Sequence, residues 1–152
     1  MKKFQYRLET VLEVRRKKEE QEQGKYQALA AAVRAIENRI RETEENRTRL
    51  MNETAQELHG VPDVNHWKRS LTYADQVARL ILGLRANREQ ADKDRLAQRE
   101  RLLEAVKRRK VLESLKEKAQ QQFTWEEGLR EQLEMDDWAS INHQSSKDVI
   151  KR

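Results

Sequence analysis

One short stretch, from Leu58 to Asp63, interrupts an otherwise continuous helical pattern. It holds the only proline of the chain and one of its four glycines. Gly60 can adopt the left-handed conformation that ends a helix, and Pro62 cannot continue one. Asp63 or Asn65 then offers a side-chain oxygen that caps a following helix. The sequence therefore predicts a turn over residues 59–63 between two helices.

Before this stretch, residues of one register recur at alternating steps of four and three. They are Leu8, Leu12, Arg15, Glu19, Glu22, Tyr26, Leu29, Val33, Ile36, Ile40, Thr43, Arg47 and Leu50. A period of about 3.5 residues is that of a left-handed coiled coil. We therefore expect a first helix over about residues 4–58, stabilised by a partner helix and weaker where charged residues replace apolar ones.

After the turn, two apolar stripes follow helical spacing. The first comprises Val64, Trp67, Leu71, Ala74, Ala78 and Ile81, and the second comprises Tyr73, Val77, Leu80 and Leu84. They are rotated about 100° from each other around the helix. Because a pair of helices covers one stripe, we expect the first to face the partner helix and the second to face outward. This second helix is expected over about residues 64–140.

Composition supports a fold without a globular core. The chain is 36% hydrophobic and 39% charged, and its apolar residues are regularly spaced, which favours a coiled coil. The sequence predicts an all-α fold, a long antiparallel two-helix coiled-coil hairpin with a longer C-terminal helix. We expect a single domain over residues 1–141 and a flexible tail over 142–152.

Folding the chain at the turn pairs positions whose numbers sum to about 122. The second helix then outlasts the first by about 20 residues, and this overhang is expected to carry Phe123, Trp125, Leu129 and Leu133. The same folding brings two basic runs together near the open end. We call this set the basic girdle: Arg15, Arg16, Lys17, Lys18, Lys107, Arg108, Arg109 and Lys110.

The basic girdle has three possible roles at this stage. It could bind an acidic protein surface, remain a solvated face, or bind nucleic-acid phosphates. Acidic residues such as Glu19 and Glu104 crowd both runs, and no aromatic residues are interleaved for stacking on bases. The net charge of +5 is compatible with an acidic partner.

Residues with recognisable chemistry are absent. The chain has no cysteine, and His59, His66 and His143 have no cysteine or carboxylate at metal-ligand spacing. No glycine-rich phosphate loop, secretory signal or membrane-length apolar run occurs. We therefore expect no catalytic site, metal, cofactor or small-molecule substrate.

Two segments resemble the flagellar export protein family FliJ. They are the opening FQYRLETVLEVR at residues 4–15, and VLESLKEK at 111–118, which Arg130, Glu131 and Gln132 follow. The resemblance implies a cytoplasmic, non-enzymatic component of the flagellar type III export apparatus, peripheral to the inner membrane. It implies a stalk that binds in the centre of a hexameric export ATPase, promotes its assembly, and links it to the export gate membrane protein and export chaperones.

The resemblance also implies roles for particular residues. Tyr73, Val77, Leu80 and Leu84 match the family's gate-binding stripe, although the family's polar residue at the last position is leucine here. The basic girdle, with Phe123 and Trp125, is expected to contact the ATPase ring. The alternatives are the equivalent stalk of a virulence secretion system, a nucleic-acid-binding coiled coil, and a purely structural coiled-coil protein.

Overall fold

The chain folds into two helices that pack against each other. The structure, a computed structural model, describes residues 3–57, 59–60 and 63–149, with side chains as far as Ile141. Helix α1 spans Glu9–Glu57 and helix α2 spans Val64–Val149, and no strand occurs in these ranges. The predicted all-α, hairpin-like pair with a longer second helix is confirmed.

The helix bounds differ from the sequence pattern at both ends of the chain. Helix α1 begins at Glu9 rather than near residue 4, and the backbone of α2 is helical to Val149, past the end predicted near residue 140. The flexible tail over 142–152 stays a prediction. Leu58, at the predicted end of the first helix, and Val61 and Pro62, in the predicted turn, lie outside the described residues.

Hydrogen bonds on either side of the turn end one helix and begin the next. The His59 and Gly60 amides donate to the carbonyl oxygens of Gln56 and Glu57, each at 3.2 Å, which tightens the last turn of α1. No described glycine has a positive φ, so Gly60 does not use the left-handed conformation. The capping residue of α2 is Asp63.

The Asp63 cap is visible in both its geometry and its acidity. Its Oδ1 accepts hydrogen bonds from the amides of Asn65 at 2.9 Å and His66 at 3.3 Å. Both hydrogen bonds lower the pKa of Asp63, and the bond from His66 has the larger effect. Beside the cap, His66 Nε2 lies 2.8 Å from Glu57 Oε2, so a side-chain contact also joins the two helices.

The chain packs as two compact units, each containing part of both helices. Unit 1 comprises Met1–Lys17 and Val106–Arg152, and unit 2 comprises Lys18–Ala105. The sequence pattern, which continues through both units, predicted a single domain. Each unit is described separately below.

In unit 2, ion pairs between the helices establish an antiparallel register. Glu37 Oε1 lies 2.8 Å from Arg88 Nη2, and Glu44 Oε1 lies 2.6 Å from Arg85 Nη2. Lower numbers on α1 therefore pair with higher numbers on α2, close to the predicted register. The residues buried between the helices lie on one 3.5-residue stripe of each helix. On α1 they are Glu22, Val33 and Thr54, and on α2 they are Ser70, Ala74, Val77, Ile81, Leu84, Gln98 and Ala105.

A polar layer interrupts the apolar packing of unit 2 at Glu22, where the sequence predicts weakness. Glu22 is only 4% exposed, and its carboxylate accepts a hydrogen bond from Gln98 across the helix pair. Lys18 and Lys25 Nζ lie 2.9 and 3.1 Å from the same carboxylate. These hydrogen bonds lower the pKa of Glu22 to about 2. The bond from Lys18 has the largest effect, followed by those from Gln98 and Lys25.

In unit 1, the helices pair around a fully buried Leu12. Lys116 Nζ lies 2.7 Å from Glu9 Oε2, and Tyr6 Oη donates to the Leu112 carbonyl oxygen at 3.2 Å. Ahead of α1, the rings of Phe4 and Phe123 lie 5.6 Å apart. The residues preceding α1 thus extend the packing along α2 as far as Phe123, which is half-buried and not part of an uncovered overhang.

Beyond Phe123, α2 continues without cover from α1. We call residues 124–141 the terminal extension. Every residue in it is exposed except Glu127, which is half-buried. Within the described part of the chain, neither helix combines the length and hydropathy needed to cross a membrane.

Truncating Leu12 tests the packing of unit 1. We expect Leu12→Ala to lower the free energy of unfolding by about 2 kcal/mol or more, because it removes a fully buried side chain and leaves a cavity. Val14 is 58% exposed, so Val14→Ala is the control and should change stability by less than about 0.5 kcal/mol. Urea denaturation followed by circular dichroism measures both, and equal losses would contradict this packing.

The Glu22 layer predicts a specific pH dependence. Because the pKa of Glu22 is about 2 in the folded chain and 4.5 without these contacts, ionised Glu22 stabilises the fold at pH values above about 4.5. This contribution is lost as the pH falls from about 4.5 to about 2. Over that window, the unfolding free energy of Glu22→Gln should fall less steeply than that of the wild type.

Glu20→Gln, at an exposed neighbouring position, is the control and should follow the wild-type profile. Urea titrations at a series of pH values provide the comparison. A Glu22→Gln profile parallel to that of the wild type would show that the carboxylate is not stabilised by its contacts.

Candidate protein-interaction surfaces

The predicted gate-binding stripe in unit 2 is only half exposed. Tyr73 and Leu80 are 53% and 46% exposed, whereas Val77 and Leu84 are 8% and 7% exposed. The expectation that the whole stripe faces outward is therefore wrong for Val77 and Leu84. Their burial leaves Tyr73 and Leu80 as the residues of this stripe that an incoming protein can reach.

The contact stripe of α2 draws residues from both of the predicted stripes. Ala74 and Ile81 come from the first, Val77 and Leu84 come from the second, and together they form one sequence of steps of three, four and three. The large residues Trp67 and Leu71, predicted to face α1, are each 41% exposed. In each predicted stripe, some residues are buried against α1 and others are exposed. The periodicity of the sequence alone did not distinguish them.

An arginine follows Leu84 along the contact stripe. Arg88 donates to Glu37 Oε1 through Nε at 3.0 Å and Nη2 at 2.8 Å. The hydrogen bond and charge of Glu37 raise the pKa of Arg88, which stays cationic. This two-donor contact joins α2 to α1 about one turn after Leu84.

The basic girdle is partly neutralised where the helices meet. In unit 1, Arg16 Nη2 lies 3.1 Å from Glu113 Oε1, and Arg109 pairs with the other oxygen of the same carboxylate. Arg15 is half-buried. The predicted approach of the two basic runs is therefore seen between Arg16 and Arg109, joined through Glu113.

The remaining members of the basic girdle have different surroundings. Lys18 belongs to unit 2, where it pairs with Glu22. Arg108 is exposed and has a polar contact of its own. Lys17, Lys107 and Lys110 are exposed, and no ion pair is seen for them within the described ranges. These three lysines form the accessible cationic part of the basic girdle.

The terminal extension combines exposed apolar side chains with strong negative charge. Trp125 is 67% exposed and Leu133 is 58% exposed. The extension contains six acidic residues and one basic residue, Arg130, whose Nη1 lies 2.6 Å from Glu127 Oε1. Large apolar side chains in the open on a single helix are typical of a surface that another protein covers.

Among the described residues, no group of three or more His, Asp or Glu side chains is placed to hold a metal ion.

The pairing of Phe4 with Phe123 was not anticipated by the heptad pattern. Its only signal in the sequence is the pair of aromatic residues, Phe4 and Tyr6, ahead of the first heptad.

Comparison with known proteins provides a family. The family model described as Flagellar FliJ protein matches residues 4–148, which include α1, all but the last residue of α2, the basic girdle and the terminal extension. No curated protein and no solved structure matches the chain. Since the family model covers nearly all of the 152 residues, the chain belongs to the flagellar FliJ family, whose members function in flagellar protein export.

Proposed function

We propose that this protein is a non-enzymatic stalk of the flagellar type III export apparatus. In this role it binds in the centre of the hexameric export ATPase, promotes assembly of the ring, and links it to the membrane export gate and to export chaperones. Its location is cytoplasmic, at the inner face of the membrane that holds the gate. Membership of the FliJ family supports a role in export, and the exposed surfaces support the particular contacts.

The observation that carries the ATPase contact is the terminal extension. It is a single helix, about 10–12 Å across with its side chains, that we propose enters the central opening of the ring. Trp125, Leu129 and Leu133 are exposed on it. Its apolar side chains would gain stability by being covered there. The sequence assigned Phe123 to this contact as well, but Phe123 packs against Phe4, so its proposed role is to anchor the base of the extension.

The basic girdle supports the same contact through charge. Lys17, Lys107 and Lys110 are available to carboxylates of a surrounding ring, whereas Arg16 and Arg109 are engaged with Glu113. Exposed lysines attract such groups over several ångströms with little geometric specificity, and salt weakens the attraction. This type of contact suits a stalk that meets several equivalent subunits in turn.

A nucleic-acid role receives less support from the same residues. Glu113 neutralises part of the basic girdle, and the terminal extension in unit 1 is acidic and would repel phosphates.

The gate contact is proposed at Tyr73 and Leu80, the exposed half of the stripe in unit 2.

Charge reversal of the three lysines tests the ATPase contact. The variant Lys17→Glu, Lys107→Glu, Lys110→Glu should weaken ring binding by about tenfold or more, because like charges would then face each other. These positions are preferable to Arg16, whose reversal would also break its pair with Glu113. Pull-down of the hexameric ATPase and stimulation of its activity, each at low and high salt, measure the effect.

The control carries the same charge change at three exposed positions of unit 2: Arg47→Glu, Lys68→Glu, Arg101→Glu. It should bind and stimulate the ATPase as the wild type does. Normal stimulation by the unit 1 variant would contradict the proposed role of the basic girdle.

Substitution of Tyr73 and Leu80 tests the gate contact. Tyr73→Ala with Leu80→Glu should weaken binding to the cytoplasmic part of the gate by about tenfold or more, because it removes two exposed apolar anchors. Helicity should not change. An acidic residue at Val77 is unsuitable, since at 8% exposure it would place a carboxylate between the helices.

Leu82→Glu is the matched control, because Leu82 is 65% exposed and points to the other side of α2. Calorimetric titration against the gate domain gives the affinities, with circular dichroism as the check on folding. If both variants bound the gate domain with equal affinity, the assignment of the gate contact to Tyr73 and Leu80 would be wrong.

A further inference from the structure

On one exposed face of α2 in unit 1, apolar side chains are placed symmetrically about a single residue, Gln122. Four apolar side chains lie on this face: Val111, Leu115, Leu129 and Leu133, with exposures of 60%, 45%, 45% and 58%. At 3.6 residues per turn, all four project within about 20° of the direction of Gln122. The face is adjacent to the one that packs against α1, so α1 leaves it open.

The apolar residues of this face are equally spaced on either side of Gln122. Leu115 and Leu129 are each seven residues from it, and Val111 and Leu133 are each eleven residues from it. Lys118 and Glu126, each four residues away, are opposite in charge. Both are exposed and lie within about 40° of the same direction.

The symmetry of charge continues beyond the apolar residues. Lys110 and Glu134 are each twelve residues from Gln122, and Lys107 and Asp137 are each fifteen residues from it. All four are exposed. At these positions α2 is basic before Gln122 and acidic after it. Lys107 and Asp137 lie about 60° from the direction of Gln122, whereas Lys110 and Glu134 lie about 120° from it, away from the apolar face.

We propose that this face binds a second copy of the chain, with the two α2 helices antiparallel and Gln122 on the two-fold axis. In that arrangement Leu115 of each copy faces Leu129 of the other, and Val111 faces Leu133. Lys118 faces Glu126 twice, once on each side of the axis. Such a pairing is the isologous interface of a two-fold dimer, in which each contact occurs twice.

Charge complementarity selects a second copy in this orientation. A parallel pair would set Lys118 against Lys118 and Glu126 against Glu126, which is unfavourable. The antiparallel pair sets Lys118 against Glu126 and, at the edge of the face, brings Lys107 of each copy to the level of Asp137 of the other. It also provides each terminal extension, which has no cover from its own α1, with a helix of the second copy.

This inference does not rest on the proposed function, because its occupant is the chain itself. Of its key charges, Lys118 lies outside the surfaces assigned above, whereas Glu126 lies in the terminal extension. Because the dimer is measured on the chain alone, with neither the ATPase nor the gate present, failure of the dimer and failure of the ATPase or gate contacts are separately observable.

A charge exchange tests the dimer directly. Sedimentation equilibrium of the full chain over a range of concentrations should show a monomer that converts to a dimer. Lys118→Glu and Glu126→Lys should each weaken the association by about tenfold or more, because each creates two like-charge contacts per dimer. The double variant, in which the charges are exchanged, should recover the wild-type association.

Glu131→Lys is the control for net charge, since Glu131 is exposed on the opposite side of α2 from Gln122. It should dimerise as the wild type does, and circular dichroism should show the same helicity for all variants. A monomer at every concentration, or a double variant that remains as weak as the single ones, would overturn the proposal.

Disulfide cross-linking tests the position of the axis. The chain has no cysteine, so Gln122→Cys introduces a single thiol that would meet its own copy across the two-fold axis. Mild oxidation should link this variant into a covalent dimer and leave Glu131→Cys unlinked. Equal linking of the two variants, or no linking at residue 122, would exclude this arrangement.

Discussion

The packing of two helices along one narrow 3.5-residue stripe is the interaction on which the structure depends. A chain that is 39% charged has few apolar side chains, and the stripe concentrates them where each helix can cover the other. Small and medium residues such as Ala74, Val77 and Ile81 form the contact in unit 2, and Leu12 forms its counterpart in unit 1. Neither long helix would be stable without this mutual cover.

Polar contacts give the apolar stripe a defined register. The Glu22–Gln98 layer is satisfied only when the correct residues face each other, and the Glu37–Arg88 pair adds a second constraint in unit 2. A buried carboxylate without partners would be costly, so a shift in register that separated Glu22 from Gln98 would be penalised. Apolar burial thus holds the helices together, while these polar groups select how they align.

Because the fold buries so little, most of its side chains are available to other proteins. Tyr73 and Leu80 in unit 2, and the terminal extension in unit 1, are the exposed apolar features on which the proposed contacts depend. The extension has a place both in the proposed entry to the ATPase ring and in the inferred dimer. If both occur, self-association and ring binding compete for the same helix. A chain bound in the ring would then be separate from its dimer partner.

The two helices, their antiparallel pairing and the family resemblance could be predicted from the sequence, since heptad spacing, a lone proline and local motifs are properties of linear order. Which half of each α2 stripe is buried depends on the approach of α1, because Trp67 and Val77 both fit helical apolar spacing, yet Trp67 is 41% exposed and Val77 is 8% exposed. The tertiary structure likewise placed Phe123 against Phe4 and divided the basic girdle into residues paired with Glu113 or Glu22 and accessible lysines. These outcomes depend on which side chains a distant segment brings within reach. The spacing of residues along one helix does not specify those tertiary contacts.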